Sequence, residues 1–91
     1  MTAPEQAGRV PWISPMDYPQ SLHAERKEGT VAFQLRFNAE GRVTGCSVQQ
    51  SSGTALLDAM ACTLSVRRAR ARPGDPRIQS FRHLWRAPAT H

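Results

Sequence analysis

The sequence predicts a small α+β domain: a three-stranded antiparallel sheet in the order 2-1-3, with a short and a long helix packed on one face. Three observations carry this. Residues 30–38 alternate apolar and polar without a break. Residues 55–70 repeat apolar side chains at helical spacing, and residues 78–87 alternate again around aromatic rings. A chain of 91 residues has room for one domain and not for two.

Residues 1–16 read as an extended lead-in, because Pro4, Pro11 and Pro15 each break helix. Trp12 and Ile13 are its large apolar residues and are expected to anchor it. The domain proper is expected over residues 17–88. Asp17 to Glu28 reads as the short helix, with Pro19 suited to a first helical position, Leu22 as its apolar residue and Gly29 as its stop. In the strand that follows, Val31, Phe33, Leu35 and Phe37 share one face. Asn38-Ala39-Glu40-Gly41 makes a tight turn in which Gly41 is free to take positive φ. The second strand runs from Arg42 to Gln50. There Val43 is out of phase with Cys46 and Val48, which calls for a bulge or phase slip around Gly45.

Ser51-Ser52-Gly53-Thr54 ends that strand and offers N-cap hydroxyls to a helix reaching about Arg70. Leu57, Met60, Ala61 and Leu64 form one stripe on it, and Ala55, Ala59, Cys62 and Val66 a second, so burial on two sides is expected. Asp58 lies near its positive end and Arg67, Arg68, Arg70 and Arg72 near its negative end, as the macrodipole favours. Pro73-Gly74-Asp75-Pro76 turns the chain into the last strand. On that strand Phe81, His83 and Trp85 share one face and Ser80, Arg82, Leu84 and Arg86 the other; alternation alone does not say which is inside. Pro88 ends it, and residues 89–91 read as a frayed tail. The first two strands form a hairpin and the long helix is a right-handed crossover. With the third strand beside the first, every neighbouring pair is antiparallel and the last strand becomes an exposed edge.

Composition narrows the function. The net charge is +5, nearly all of it arginine, and the macrodipole accounts for part of the one cluster. No apolar stretch approaches the roughly 18–20 residues of a membrane span, and the start lacks the pattern of a signal peptide. The chain is therefore cytosolic or a piece of something longer. Two cysteines without a Cys-x-x-Cys pair, and the scattered His23, His83 and His91, do not make a zinc site. Cys46 and Cys62 either pair, which would place the domain outside the cytoplasm, or remain buried thiols. No nucleophile elbow, phosphate loop or metal-ligand pair is present, so neither an enzyme nor a cofactor is expected. Arginines beside Phe81 and Trp85 leave a basic nucleic-acid-binding module as the weakest reading.

In this order and spacing, a set of short pieces resembles the C-terminal domain of TonB-family energy transducers over about residues 12–88. They are Asp17-Tyr18-Pro19, Glu28-Gly29-Thr30-Val31, Gly41-Arg42-Val43, Ser51-Ser52-Gly53, Leu57-Asp58-Ala59, Arg67-Arg68-Ala69-Arg70 with Pro73, and Trp85-Arg86. The cysteines are similar to those of a subgroup with one on strand two and one in the helix, which implies a disulfide between Cys46 and Cys62. Ala71 departs from the family, which usually has an aromatic near the helix end, and the turn before the last strand is short. The resemblance implies a periplasmic module that grips the TonB box peptide of an outer-membrane transporter by adding it as a strand to Gln79, Ser80, Phe81, Arg82, His83, Leu84, Trp85 and Arg86. It also implies an inner-membrane proton-driven motor, reached through an N-terminal anchor absent from this chain. The alternative is a cell-envelope adaptor of the same fold without energy transduction. The exposed edge also allows a homodimer.

Overall fold

The unbroken alternation after Gly29 becomes β1 (Gly29–Phe37), the middle strand of a sheet ordered β2-β1-β3 in the computed structural model, which describes residues 9–87. Val31, Phe33, Leu35 and Phe37 are all buried on its inner face. β2 (Val43–Gln50) and β3 (Arg77–Trp85) flank it, both antiparallel, and the crossover is α1 (Ala55–Arg68). Pro88 and the tail, like Pro4, lie outside the described residues.

The phase slip in β2 is real. Gly45 faces Arg36 but Val43 faces Phe37, so Thr44 is an extra residue, and Gln49 is another between Val48 and Gln50. The first bulge returns Val43 to the face of Cys46 and Val48, opposite Phe37, Leu35 and Phe33. The hairpin turn has Gly41 at φ 83°, and Gly41 N–H donates to Asn38 O at 2.9 Å. A Cβ at Gly41 would lie 1.9 Å from the carbonyl oxygen of Ala71, so both the dihedral and the space require glycine.

That close approach also ends α1 early. The helix stops at Arg68 and not near Arg70, because Ala69 turns into the core, Arg70 bridges to Arg42, and Ala71 N–H donates to Gly41 O at 2.8 Å. Burial on two sides is also not realised. Leu57, Ala61, Leu64 and Ser65 face the sheet, while Ala55, Leu56, Ala59 and Val66 are exposed, since only one layer packs against α1. The serine hydroxyls before α1 do not cap its N–H groups. Ser51 and Ser52 both donate to the Asp58 carboxylate, and Thr54 holds the N-cap position without a side-chain bond.

The short helix takes the form of two single-turn 3-10 helices, Pro15–Asp17 and Gln20–Leu22. Pro19 forces Tyr18 into an extended conformation between them. Beyond it only Leu22 is buried, so no apolar stripe holds a longer helix together.

Cys46 and Cys62 form a disulfide that ties β2 to α1, with a Cα–Cα distance of 5.7 Å. Reduction is expected to lower unfolding stability by about 3 kcal/mol in the chain-entropy account, and Cys62→Ser should match the reduced protein in urea denaturation. A shift below about 0.5 kcal/mol would show that the bond does not restrain the unfolded chain. Gly41→Ala should cost more than about 1 kcal/mol in the same measurement, because neither positive φ nor the Ala71 carbonyl accommodates a methyl group.

Candidate functional site

β3 pairs with β1 from Arg77 opposite Phe37 to Trp85 opposite Gly29. Its other side has no strand partner among the described residues. In an antiparallel ladder alternate residues turn their N–H and C=O groups outward, so this side presents a row of unpaired donors and acceptors. The sequence-predicted edge, Gln79 to Arg86, falls on it, with Arg86 just past the strand end. The face left open by alternation is resolved: Phe81, His83 and Trp85 point inward, opposite Phe33, Val31 and Gly29, and Ser80, Arg82 and Leu84 take the outer face.

The lead-in, and not a helix, covers β3. Val10 and Ile13 are buried in the core, and Trp12 is half-buried. The Trp12 ring meets Phe81 edge-on at 5.2 Å, and its Nε1–H donates to the buried Ser65 hydroxyl of α1 at 2.8 Å. Arg68 donates to Trp12 O at 3.1 Å and to the Asp17 carboxylate at 2.8 Å. The Arg68 bond, followed by the backbone N–H of Ser14, holds the Asp17 carboxyl below the usual range. At least one arginine of the cluster is therefore a strut across the domain, which +5 of net charge alone does not reveal.

Two polar side chains of β3 are buried under this strap. His83 accepts the Val10 N–H on Nδ1 at 3.3 Å, which requires the neutral ring. Burial, then the charge of Arg9, pushes its pKa down to about 4, against a smaller opposing pull from Asp17. Trp85 is 2% exposed, with its ring edge-on to His83 at 4.9 Å and to Tyr18 at 6.3 Å, and its Nε1–H has no hydrogen-bond partner among the described residues. Tyr18 is fixed in turn by its hydroxyl, which donates to Lys27 O at 2.6 Å.

Sequence reasoning missed Val10, Tyr18, Ser65 and the Arg68–Asp17 pair. One signal was available: Ser14-Pro15-Met16-Asp17 is a capping box with proline at the first helical position, and Ser14 N–H donates to Asp17 Oδ2 at 2.8 Å. Ser65 carries no such signal, because a serine in an apolar stripe reads as an interruption.

A three-stranded antiparallel sheet with one helical crossover and a strapped last strand, whose outer edge has no strand partner among the described residues, defines a class of small α+β domain. Residues 14–83 match the family model for the Gram-negative bacterial TonB protein C-terminal domain, and the chain belongs to that family. Domains of this family are periplasmic and engage outer-membrane TonB-dependent transporters. The chain matches no curated protein and no solved structure. No helix among the described residues is long and apolar enough to cross a membrane.

The state of His83 has a consequence for stability. Its folded pKa, about 4, lies below the ordinary value of 6.5, so the unfolded chain takes up the proton first. Stability is expected to be level above about pH 7, to fall by up to about 1.4 kcal/mol per pH unit between about pH 6.5 and pH 4, and then to lose this dependence. Urea midpoints across that range check it. In His83→Gln the fall between about pH 6.5 and pH 5, above the range in which the lowered carboxyls of Asp17 and Asp58 contribute, should vanish, and an unchanged profile there would assign the titration to another group.

Proposed function

We propose that the domain binds an extended peptide segment of an outer-membrane transporter, its TonB box, as a fourth strand along β3. What supports this is the outer edge of β3, which has no strand partner among the described residues while its inner face is held by the core and the strap. Such an edge offers main-chain hydrogen bonds at a fixed spacing, which give affinity, while alternate side chains set register. The outer-face residues Ser80, Arg82 and Leu84 lie beside alternate positions of an added strand. In the TonB-like reading the module transmits force from an inner-membrane proton-driven motor to the transporter. Tension along β3 is resisted by its ladder to β1, and the Cys46–Cys62 bond keeps β2 and α1 from separating behind it. Because the binding energy lies in main-chain bonds, affinity depends only weakly on salt, unlike nucleic-acid binding.

NMR titration with transporter-derived box peptides tests the proposal. Amides of residues 78–87 should shift, and every second amide of β3 should gain protection from hydrogen exchange. Proline at whichever of positions 82 and 83 turns its N–H outward should abolish binding. Shifts centred on β2 or on the exposed side of α1, with β3 unmoved, would place the site elsewhere.

A further inference from the structure

The end of the sheet at which β3 begins gathers most of the charge. The β1–β2 turn and the link from α1 to β3 meet there, fastened by Ala71 N–H on Gly41 O and Gly74 N–H on Ala39 O. Six arginines come with them: Arg36 and Arg42 from the hairpin, Arg67 from the last turn of α1, Arg70 and Arg72 from the link, and Arg77 at the start of β3. Two carboxylates, Glu40 and Asp75, share this end, which leaves an excess of four positive charges in a chain whose net charge is +5. The ion pairs among the described residues, Lys27–Glu25 and Arg68–Asp17, lie elsewhere. Arg70 and Arg77 donate to backbone carbonyls, which does not neutralise them. The side chains of Arg36, Arg42, Arg67 and Arg72 are exposed and have no hydrogen-bond partner among the described residues. The C-terminal dipole of α1, about half a negative charge, offsets only a fraction of one arginine. The carboxylates of Glu25, Glu28 and Asp58 lie at the opposite end, beside Gly29 and the start of α1. The nine residues of β1 separate the two ends by about 27 Å, more than three Debye lengths at physiological salt.

Two of the arginines face one another. Arg42 and Arg70 form an antiparallel bridge, which sets like charges on one side of neighbouring segments, roughly 5 Å apart at Cβ. Such a pair is unfavourable until an anion lies across it, and phosphate oxygens accept from two guanidinium groups at once. No aromatic ring is exposed beside the cluster for a base to stack on, since Phe37 is buried and Phe81 half-buried. The exposed apolar neighbour is aliphatic: Ile78 is 55% exposed and stands opposite Arg36 in the ladder. Arginines around an exposed aliphatic side chain suit the headgroup region of a charged bilayer.

We infer that this end of the domain docks on an anionic phospholipid surface, with phosphate groups bridging Arg42 and Arg70 and meeting Arg36, Arg67 and Arg72, and with Ile78 entering between headgroups. The contact turns the Arg77 end of β3 toward the bilayer and leaves the outer edge of the strand open. It is independent of the edge reading.

The test is co-sedimentation of the 91-residue chain with vesicles of phosphatidylglycerol and phosphatidylcholine in equal parts, and with vesicles of phosphatidylcholine alone. Binding is expected to the first only, and to be lost between about 0.1 M and about 1 M salt. An arginine beside an anionic surface contributes about fivefold in partitioning, so Arg42→Gln/Arg70→Gln should weaken binding by about twentyfold. Arg26→Gln/Lys27→Gln removes the same charge at the opposite end and should change binding by less than about twofold. The Trp12 indole signal, fixed by Ser65, reports that each variant is folded. Absence of binding to the phosphatidylglycerol vesicles overturns the inference. So does equal weakening by the two double variants, which makes the attraction one of net charge alone. Amide shifts in residues 69–77 with a single-stranded oligonucleotide or with oligoglutamate, in the absence of vesicle binding, transfer the surface to another class of anion. Box peptides decide the edge reading separately: their shifts of β3 amides should survive Arg42→Gln/Arg70→Gln, and their absence from the unaltered chain sinks the edge reading while vesicle binding stands.

Discussion

The whole arrangement depends on a mismatch between sheet and helix. Three strands present one apolar face, and a single 14-residue helix has to cover it. α1 lies over β1 and β2, held there by Leu57, Ala61 and Leu64 and by the disulfide to Cys46. That leaves the inner side of β3, with Phe81, His83 and Trp85, outside its reach. The lead-in fills the gap: Val10, Trp12, Ile13 and Tyr18 close the core over β3. A domain of this size has little apolar surface to spare, so a segment that reads as a linker becomes part of the core.

Once the lead-in is structural, its fixings follow from ordinary polar accounting. Covering β3 buries the indole N–H of Trp12, the imidazole of His83 and the hydroxyl of Tyr18. Each finds a partner, in Ser65, Val10 and Lys27 respectively. Arg68 completes the clasp from α1, satisfying the Trp12 carbonyl and the Asp17 carboxylate with one guanidinium. At the other end of the sheet the hairpin turn does the corresponding work. Gly41 and Ala39 accept N–H groups from Ala71 and Gly74, which fastens the link between α1 and β3 to the β1–β2 turn.

What the sequence makes legible follows from the range of the interactions. β1 is readable because a central strand alternates strictly when one face is buried, and Gly41 because a two-sided local constraint acts on one residue. The order of strands is readable because one crossover leaves few topologies. The exposed second stripe of α1 is not readable, since Ala55, Ala59 and Val66 satisfy helical spacing whether or not a second layer exists. Nor is the strap: Ser65 and Trp12 are 53 positions apart in sequence, and Val10 and His83 are 73 apart. The edge of β3 was placed by counting strands, but the inner orientation of His83 and Trp85 needed the register against Val31 and Gly29.

A strand that must accept a partner along its edge faces opposed demands. The edge has to stay unpaired, yet a strand held on one side only frays, and a frayed edge binds weakly because its ordering is charged against the complex. Here the two demands fall on different directions of the same strand. The ladder to β1 and the strap on the inner face fix β3 without touching its outer N–H and C=O groups. Immobilisation therefore comes from Phe81, His83 and Trp85, and in the proposed reading recognition falls to the backbone and the outer side chains. The strap is also the segment through which the chain enters the domain, so its hold on β3 joins the route of entry to the edge proposed for the partner. The strap is joined to β3 by the Val10–His83 hydrogen bond and the Trp12–Phe81 ring contact, and to α1 by Ser65 and Arg68. It therefore couples the segment that enters the domain both to the last strand and, through the disulfide, to β2.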